Sequence, residues 1–210
     1  MATYVLMGIC VALGIGALLS GGQATGVSDS LGDRFGVNAP DVAGGEVYRL
    51  LSAGFLHAGL PHLLVNMYSL YILGSLLEPA LGRVRFLIIY FVALLSGSFG
   101  ALISDPNINT VGASTAIFGL MGAAVVVMRN RGIDPMASGL PLWIGINLVL
   151  TFTIPHLSKG GHVGGLIGGV LAAALLFELP DRVRRLPQVA AMVLAGAVGV
   201  AAVAGSLAIV

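Results

Sequence analysis

Charge is what this chain has least of. Nine acidic and ten basic side chains among 210 residues make 9% in all, against about 25% in soluble globular domains. So few charged groups could not cover a water-soluble fold of this size, which excludes a soluble enzyme and a disordered chain. A net charge of +1 carries no basic excess for nucleic acid. Cysteine is nearly missing too: Cys10 is alone, inside the first apolar stretch, so no intramolecular disulfide can form. The zinc-protease pattern His-Glu-x-x-His does not occur. No aspartate lies within an apolar segment, as an intramembrane aspartyl protease would need. The carboxylates (Asp29, Asp33, Asp41, Glu46, Glu78, Asp105, Asp134, Glu178 and Asp181) fall in loops or at segment ends. No metal site and no cofactor are expected.

What is abundant is apolar: 57% hydrophobic residues and 31 glycines, with a mean hydropathy of +1.00. This is the composition of an all-α, polytopic membrane bundle whose solvent is the lipid bilayer. Seven apolar segments run roughly over Thr3–Ser20, Pro61–Leu77, Phe86–Ser104, Ser114–Met128, Met136–Ile154, His162–Leu179 and Pro187–Val210. The first has no Lys or Arg before it and no small-x-small cleavage site, so it reads as a retained span and not as a signal peptide. Only the stretch Gly21–Leu60 is long, and around Val47–Leu60 it alternates apolar residues with Arg49 and His57, which suits a segment lying in the interface. No soluble domain is expected at either end.

The basic residues orient the spans. Arg83, Arg85, Arg129, Arg131, Arg182, Arg184 and Arg185 fall on one side of the alternating topology, and Arg34, Arg49 and Lys159 on the other. The positive-inside rule then puts the N-terminus in the cytoplasm and the long loop outside. Absence of a targeting extension fits a bacterial plasma membrane.

Two spans start too deep. Ser114–Met128 has 15 residues, about 22 Å of helix, against a hydrocarbon core of about 30 Å. The preceding Asp105–Ala113 stretch (Asp-Pro-Asn-Ile-Asn-Thr-Val-Gly-Ala) does not favour helix, yet it must descend to that depth. Irregular backbone is tolerated there only when buried in protein or lining a watery cavity. The sixth segment repeats the pattern, with Gly160, Gly161 and His162 opening a short helix that ends near Glu178.

Gly112-Ala113-Ser114-Thr115 is a weak signal alone, since a membrane serine more often bonds a backbone carbonyl or aids packing. His162 alone reads as a polar residue bonded inside a bundle, although ionisable residues within membranes are functional candidates by default. Together they are a nucleophile and the base it needs. Gly164, Gly165, Gly168 and Gly169 after His162, and Gly119 with Ala123 after Ser114, are small-residue pairs that let two helices approach closely. His62 and Asn66 share one face of the second span. They either bond each other or aim donors at a developing oxyanion. No carboxylate is placed to orient His162, so a Ser–His dyad is expected. His57 belongs to the loop before the second span, and His156 has no assigned role.

In this order the residues resemble the rhomboid intramembrane serine proteases. The likeness is carried by Tyr48-Arg49 (the family usually has Trp-Arg), Ala53-Gly-Phe-Leu-His57, His62-x-x-x-Asn66, Glu78 with Gly82-Arg83, Gly112-Ala-Ser114, and His162 with its glycines. It covers about residues 47 to 175. The resemblance implies a six-helix catalytic core over residues 1–180, with the outer loop 21–60, and an added C-terminal transmembrane helix at 187–210. It implies Ser114 as nucleophile and His162 as base. His62, Asn66 and the backbone at Gly112 would form the oxyanion site. Phe118, where many members have tyrosine, would pack on the catalytic histidine, and Arg49 and Glu78 would support the structure. Substrates would be transmembrane proteins, single-span or polytopic, cut near the outer face. The rival readings are a transporter or a binder of membrane segments that uses the same polar groove without chemistry.

Overall fold

Glycine, proline and polar caps set the limits of the helices. In the computed structural model, which describes residues 1–19, 30–155, 157–183 and 186–210, each of the seven apolar runs is helical. The first is α1 (Ala2–Leu19). The long loop that follows carries, among its described residues, three short helices, α2 (Ser30–Phe35), α3 (Ala39–Ala43) and α4 (Arg49–Ser52), then a 3-10 turn, Ala53–Phe55. Next come α5 (Leu60–Leu81) and α6 (Arg83–Ser104), joined by Gly82 alone. Then follow α7 (Ser114–Asn130), α8 (Leu140–Thr153) and α9 (Lys159–Ala173). Helix α9 continues through a π-helical stretch, Ala174–Glu178, into α10 (Leu179–Arg182), and α11 (Gln188–Ile209) closes the chain. Five of these helical spans have 18 or more residues and are apolar enough to cross a membrane, while α7 and α8 are shorter. The protein is a multi-pass integral membrane protein.

The boundaries differ from the sequence reading in three places. Helix α5 runs on past Leu77, so Glu78 lies within its last turn. The fifth helix starts at Leu140, because 135–139 is a turn. The sixth span is not short: Lys159–Arg182 is 24 residues of continuous helix, and His162 sits one turn inside it. Pro180 explains the π stretch. It has no N–H for the carbonyl four residues earlier and its ring crowds that carbonyl, so a widened turn before it relieves the clash.

Contacts at the basic end fix the alternation of the spans. Glu78 accepts the Ala2 N–H (2.6 Å), the Thr3 N–H (2.9 Å) and the Thr3 hydroxyl (2.7 Å). It thereby satisfies the free donors at the start of α1. Arg85 donates to the Gln188 side chain (2.8 Å), joining α6 to the start of α11. Arg131 donates to the Ala80 carbonyl, tying the end of α7 to the end of α5.

At the centre, α6, α7 and α9 lie nearly backbone to backbone. A methyl group on Gly165 would overlap the Thr115 carbonyl, and one on Gly169 would overlap the Gly119 backbone. On the other side of α9, Gly164 and Gly168 meet Ser96, and Gly160 meets Gly100. The small-residue pairs on α7 and α9 therefore meet as the sequence suggests, and α6 makes a second such crossing. Leu70, Phe86, Ile89, Tyr90, Leu94, Leu120 and Met121 fill the interior, while Leu64, Val65, Val193 and Val200 face outward, where lipid is their solvent. Gly169→Val should lower stability by about 1–3 kcal/mol, the usual cost of overpacking. Thermal unfolding of the purified protein reads this, and an unchanged midpoint would show that the crossing tolerates a side chain.

Candidate active site

Ser114 is the first residue of α7, below the end of the bundle that carries the long loop. The irregular segment that leads down to it keeps its backbone paired. Thr110 exchanges two hydrogen bonds with Val37 (2.9 and 3.0 Å), Ala39 donates to the Pro106 carbonyl (2.7 Å), and the Asn109 side chain donates to the Gly32 carbonyl (2.5 Å). The long loop thus supplies the partners that lipid cannot.

That loop is itself held by Arg49, which the sequence reading placed among the polar residues of an interfacial segment. Arg49 is buried, with 5% of its surface exposed. Its guanidinium donates to the carbonyls of Asp33 (2.7 Å) and Gly36 (2.8 Å) and pairs with Glu46 (2.6 Å) and Asp41 (3.1 Å). Only the planar fork of arginine fills so many acceptors at once. The hydrogen bond from Arg49, then that from Tyr48, holds the Glu46 carboxyl below its ordinary range. This contribution is present above the ordinary carboxylate range and is lost as pH falls through the lowered value. Arg49→Met should cost about 1–3 kcal/mol by leaving two carbonyls without a donor. Limited proteolysis of residues 30–58 should quicken, and an unaltered cleavage pattern would contradict this.

The residues singled out from the sequence come together in part. Ser114 Oγ lies 2.8 Å from His162 Nε2. His162 is 5% exposed, and its ring stacks on Phe118 with centroids 4.3 Å apart and planes 18° from parallel. Facing them across Gly112 is the His62 ring. The point where a Cβ on Gly112 would sit is 3.0 Å from His62 Nε2 and 3.5 Å from Ser114 Oγ. Gly112 has φ +132, a backbone conformation that side chains disfavour, and its bare Cα keeps the space between His62 and Ser114 open. His62 Nδ1 accepts the Ala58 N–H at 3.1 Å. A neutral imidazole that accepts at Nδ1 carries its proton on Nε2, so His62 presents an N–H toward this space. His57 packs edge-on against the His62 ring, centroids 5.2 Å apart.

Two expectations change at the atomic level. The N–H of Gly112 donates to the Ala53 carbonyl (2.9 Å), so it is not free to face an oxyanion, and the residue contributes by its shape. Asn66 is buried, and its Nδ2 donates to the His62 carbonyl at 2.8 Å, so one of its two donors is spent on its own helix. Helix α7 supplies further donors, since the first N–H groups of any helix lack intrahelical partners. Glu78 is not part of the cluster. It lies sixteen residues beyond His62 on the same helix, about 24 Å away, and caps α1. Thr151, which nothing in the sequence marks, brings its Oγ1 to 2.7 Å from His162 Nδ1. His156 lies outside the described residues.

The fold and site define a class: an all-helical, multi-pass membrane protein with a hydrogen-bonded serine and histidine sunk below one end of the bundle. The Rhomboid domain family model matches residues 44–179, well over half of the sequence. The chain belongs to the rhomboid family. It is 39% identical over 138 residues to Rhomboid protease GluP of Bacillus subtilis (strain 168), covering 64% of this chain and 27% of that protein. RHOMBOID-like protein 7 of Arabidopsis thaliana is 36% identical over 143 residues, 65% of this chain and 45% of that one. Inactive RHOMBOID-like protein 8 of the same plant is 30% identical over 148 residues, 68% of this chain and 41% of that one. The chain thus spans between about a quarter and a half of the length of these relatives.

Proposed function

We propose that this protein is an intramembrane serine endopeptidase that cuts transmembrane proteins by a Ser114–His162 dyad. The observation that carries the reading is the 2.8 Å hydrogen bond between Ser114 Oγ and His162 Nε2 within a mostly apolar bundle. His162 Nε2 takes the Ser114 proton as Oγ attacks the scissile carbonyl, and returns it to the leaving amine. The His62 Nε2–H and the N–H groups at the start of α7 face the oxygen that becomes negative. Asn66 holds this wall of the site.

The basic end is cytoplasmic, in a bacterial plasma membrane, and Ser114 opens toward the outside, so substrates are cut near the outer ends of their spans. They enter sideways between α5 and α8. Helix α8 is short, and Thr151 is its one fully buried residue, which suits a helix that yields. Residues 1–180 are the catalytic core and α11 is an addition to it.

One experiment separates this reading from its rivals. Purified protein in liposomes is treated with a fluorophosphonate, then given a panel of single-span proteins. A protease labels at Ser114 and releases fragments cut near the outer face. A transporter or a binder of membrane segments would neither label nor cut, and that result would retire the proposal.

A further inference from the structure

We propose that Thr151 is the positioning residue that keeps His162 in the tautomer its base role requires, so that the reactive pair is complete only when α8 lies against the bundle. The proposal rests on the protease reading above and adds the part of the chain that prepares the base.

The argument starts from one hydrogen atom. The Thr151 hydroxyl has a single proton, and the Asn147 carbonyl one turn earlier in α8 lies 2.8 Å from Oγ1 in position to accept it. Threonine within a helix commonly bonds back in this way. The lone pairs of Oγ1 then face His162 Nδ1 at 2.7 Å. An unprotonated Nδ1 would set lone pair against lone pair at that distance, so Nδ1 carries the ring proton. A neutral imidazole protonated at Nδ1 has its lone pair on Nε2, 2.8 Å from Ser114 Oγ. The chain from Asn147 through Thr151 and His162 to Ser114 therefore runs in one direction. It leaves the base ready to take the serine proton.

In trypsin-type triads a carboxylate orients the histidine and also stabilises the imidazolium that forms. A neutral hydroxyl supplies the orientation without the charge, which suits a site in lipid where a buried carboxylate would be costly. Phe118 stacks on the ring face and fixes its plane, but stacking cannot choose between the two tautomers. Thr151 can.

Its place in the fold gives the contact a second consequence. Thr151 is 1% exposed and is the only residue of α8 that is fully buried. Ile144, Asn147 and Leu148 on the same face are half-buried, and Trp143, Val149 and Phe152 are exposed. The most deeply seated point of α8 is thus the residue that orients the base. A displacement of α8 that separates Oγ1 from Nδ1 leaves the Nδ1 proton without an acceptor and frees the ring to take the other tautomer.

The test compares Thr151→Val, which keeps the shape and removes the hydroxyl, with Thr151→Ser, which keeps the hydroxyl. Each full-length protein is purified and assayed for fluorophosphonate labelling, for kcat and KM on a transmembrane peptide, and for melting temperature. Nitrogen NMR of histidine-labelled samples, with the His162 signal identified by its loss in His162→Ala, reads the tautomer directly. Thr151→Val should slow labelling and kcat at least about tenfold, well short of the roughly 10⁴ lost on tautomer reversal in a carboxylate triad. KM should change little, and the NMR should move from Nδ1 protonation toward Nε2 protonation. Thr151→Ser should recover most of the rate and the wild-type tautomer. Wild-type labelling by Thr151→Val, or an equal loss in Thr151→Ser, would overturn the proposal. A wild-type protein that neither labels nor cleaves would refute the protease reading, whereas a reactive wild type with Nε2 protonated would refute only the role of Thr151.

Discussion

Ser114→Ala should abolish cleavage, and His162→Ala should abolish both cleavage and fluorophosphonate labelling, with the fold of each variant intact. The alanine at 114 removes the attacking oxygen and leaves the start of α7 unchanged, because Ser114 makes its side-chain contact with His162 alone among the bonds described. The alanine at 162 leaves the hydroxyl in place without a base, and an unassisted serine is a poor nucleophile at neutral pH. In a serine protease whose nucleophile and histidine act as a unit, losing either costs about 10⁶ in turnover, and losing both costs little more. The double variant should therefore be no worse than either single one. Labelling of His162→Ala at the wild-type rate would break the dyad assignment. So would a carboxylate substitution of equal severity. Glu78 is bonded to Ala2 and Thr3 at the far end of α5, and Nδ1 of His162 already faces Thr151. Neither arrangement leaves a carboxylate to act on the ring.

Why the sequence pointed to Ser114 and His162 but not to Thr151 is a matter of local signals. Ser114, two residues after Gly112, and His162, directly after Gly161, are polar residues at the mouths of apolar runs, and such residues stand out against their neighbours. The glycines at 165 and 169 announce close helix contact by their four-residue spacing, and they do meet Thr115 and Gly119. Phe118 came only with the family resemblance, and its ring does stack on His162. Thr151 has no such mark. It sits in a run, Leu148–Thr153, where threonine is compatible with a lipid-facing helix that satisfies its hydroxyl on its own carbonyl. Only the approach of α9 gives that hydroxyl its second partner. The burial of Arg49 is illegible for a related reason: amphipathic spacing predicts which face a side chain shares, but not that Asp33, Gly36, Asp41 and Glu46 curl round it. The long sixth span was hidden because a five-residue π stretch absorbs Pro180 without ending the helix.

His62→Leu should lower kcat by about 10²–10³, with little change in KM or melting temperature, as expected when one donor to a tetrahedral oxyanion is lost. The orientation of the ring is what makes the prediction specific. Because Nδ1 accepts from Ala58, the Nε2–H is committed to the gap beside Gly112, and that gap lies within reach of the Ser114 oxygen. Leucine fills the same volume but brings no donor. Asn66→Leu should be milder, since one of its two Nδ2 donors is already spent on the His62 carbonyl and the start of α7 supplies other donors. Gly112→Ala probes the same space by steric means. Its methyl group would press on the His62 ring and enter the gap while imposing a side chain at φ +132, so it should lose turnover and some stability together. The three variants therefore separate donor from shape: His62→Leu moves kcat alone, and Gly112→Ala moves kcat with melting temperature. Turnover and unfolding measured on the same detergent-solubilised samples decide the matter. Normal turnover with a large fall in melting temperature for His62→Leu would make the residue a structural support of the long loop and leave the oxyanion to the N–H groups of α7.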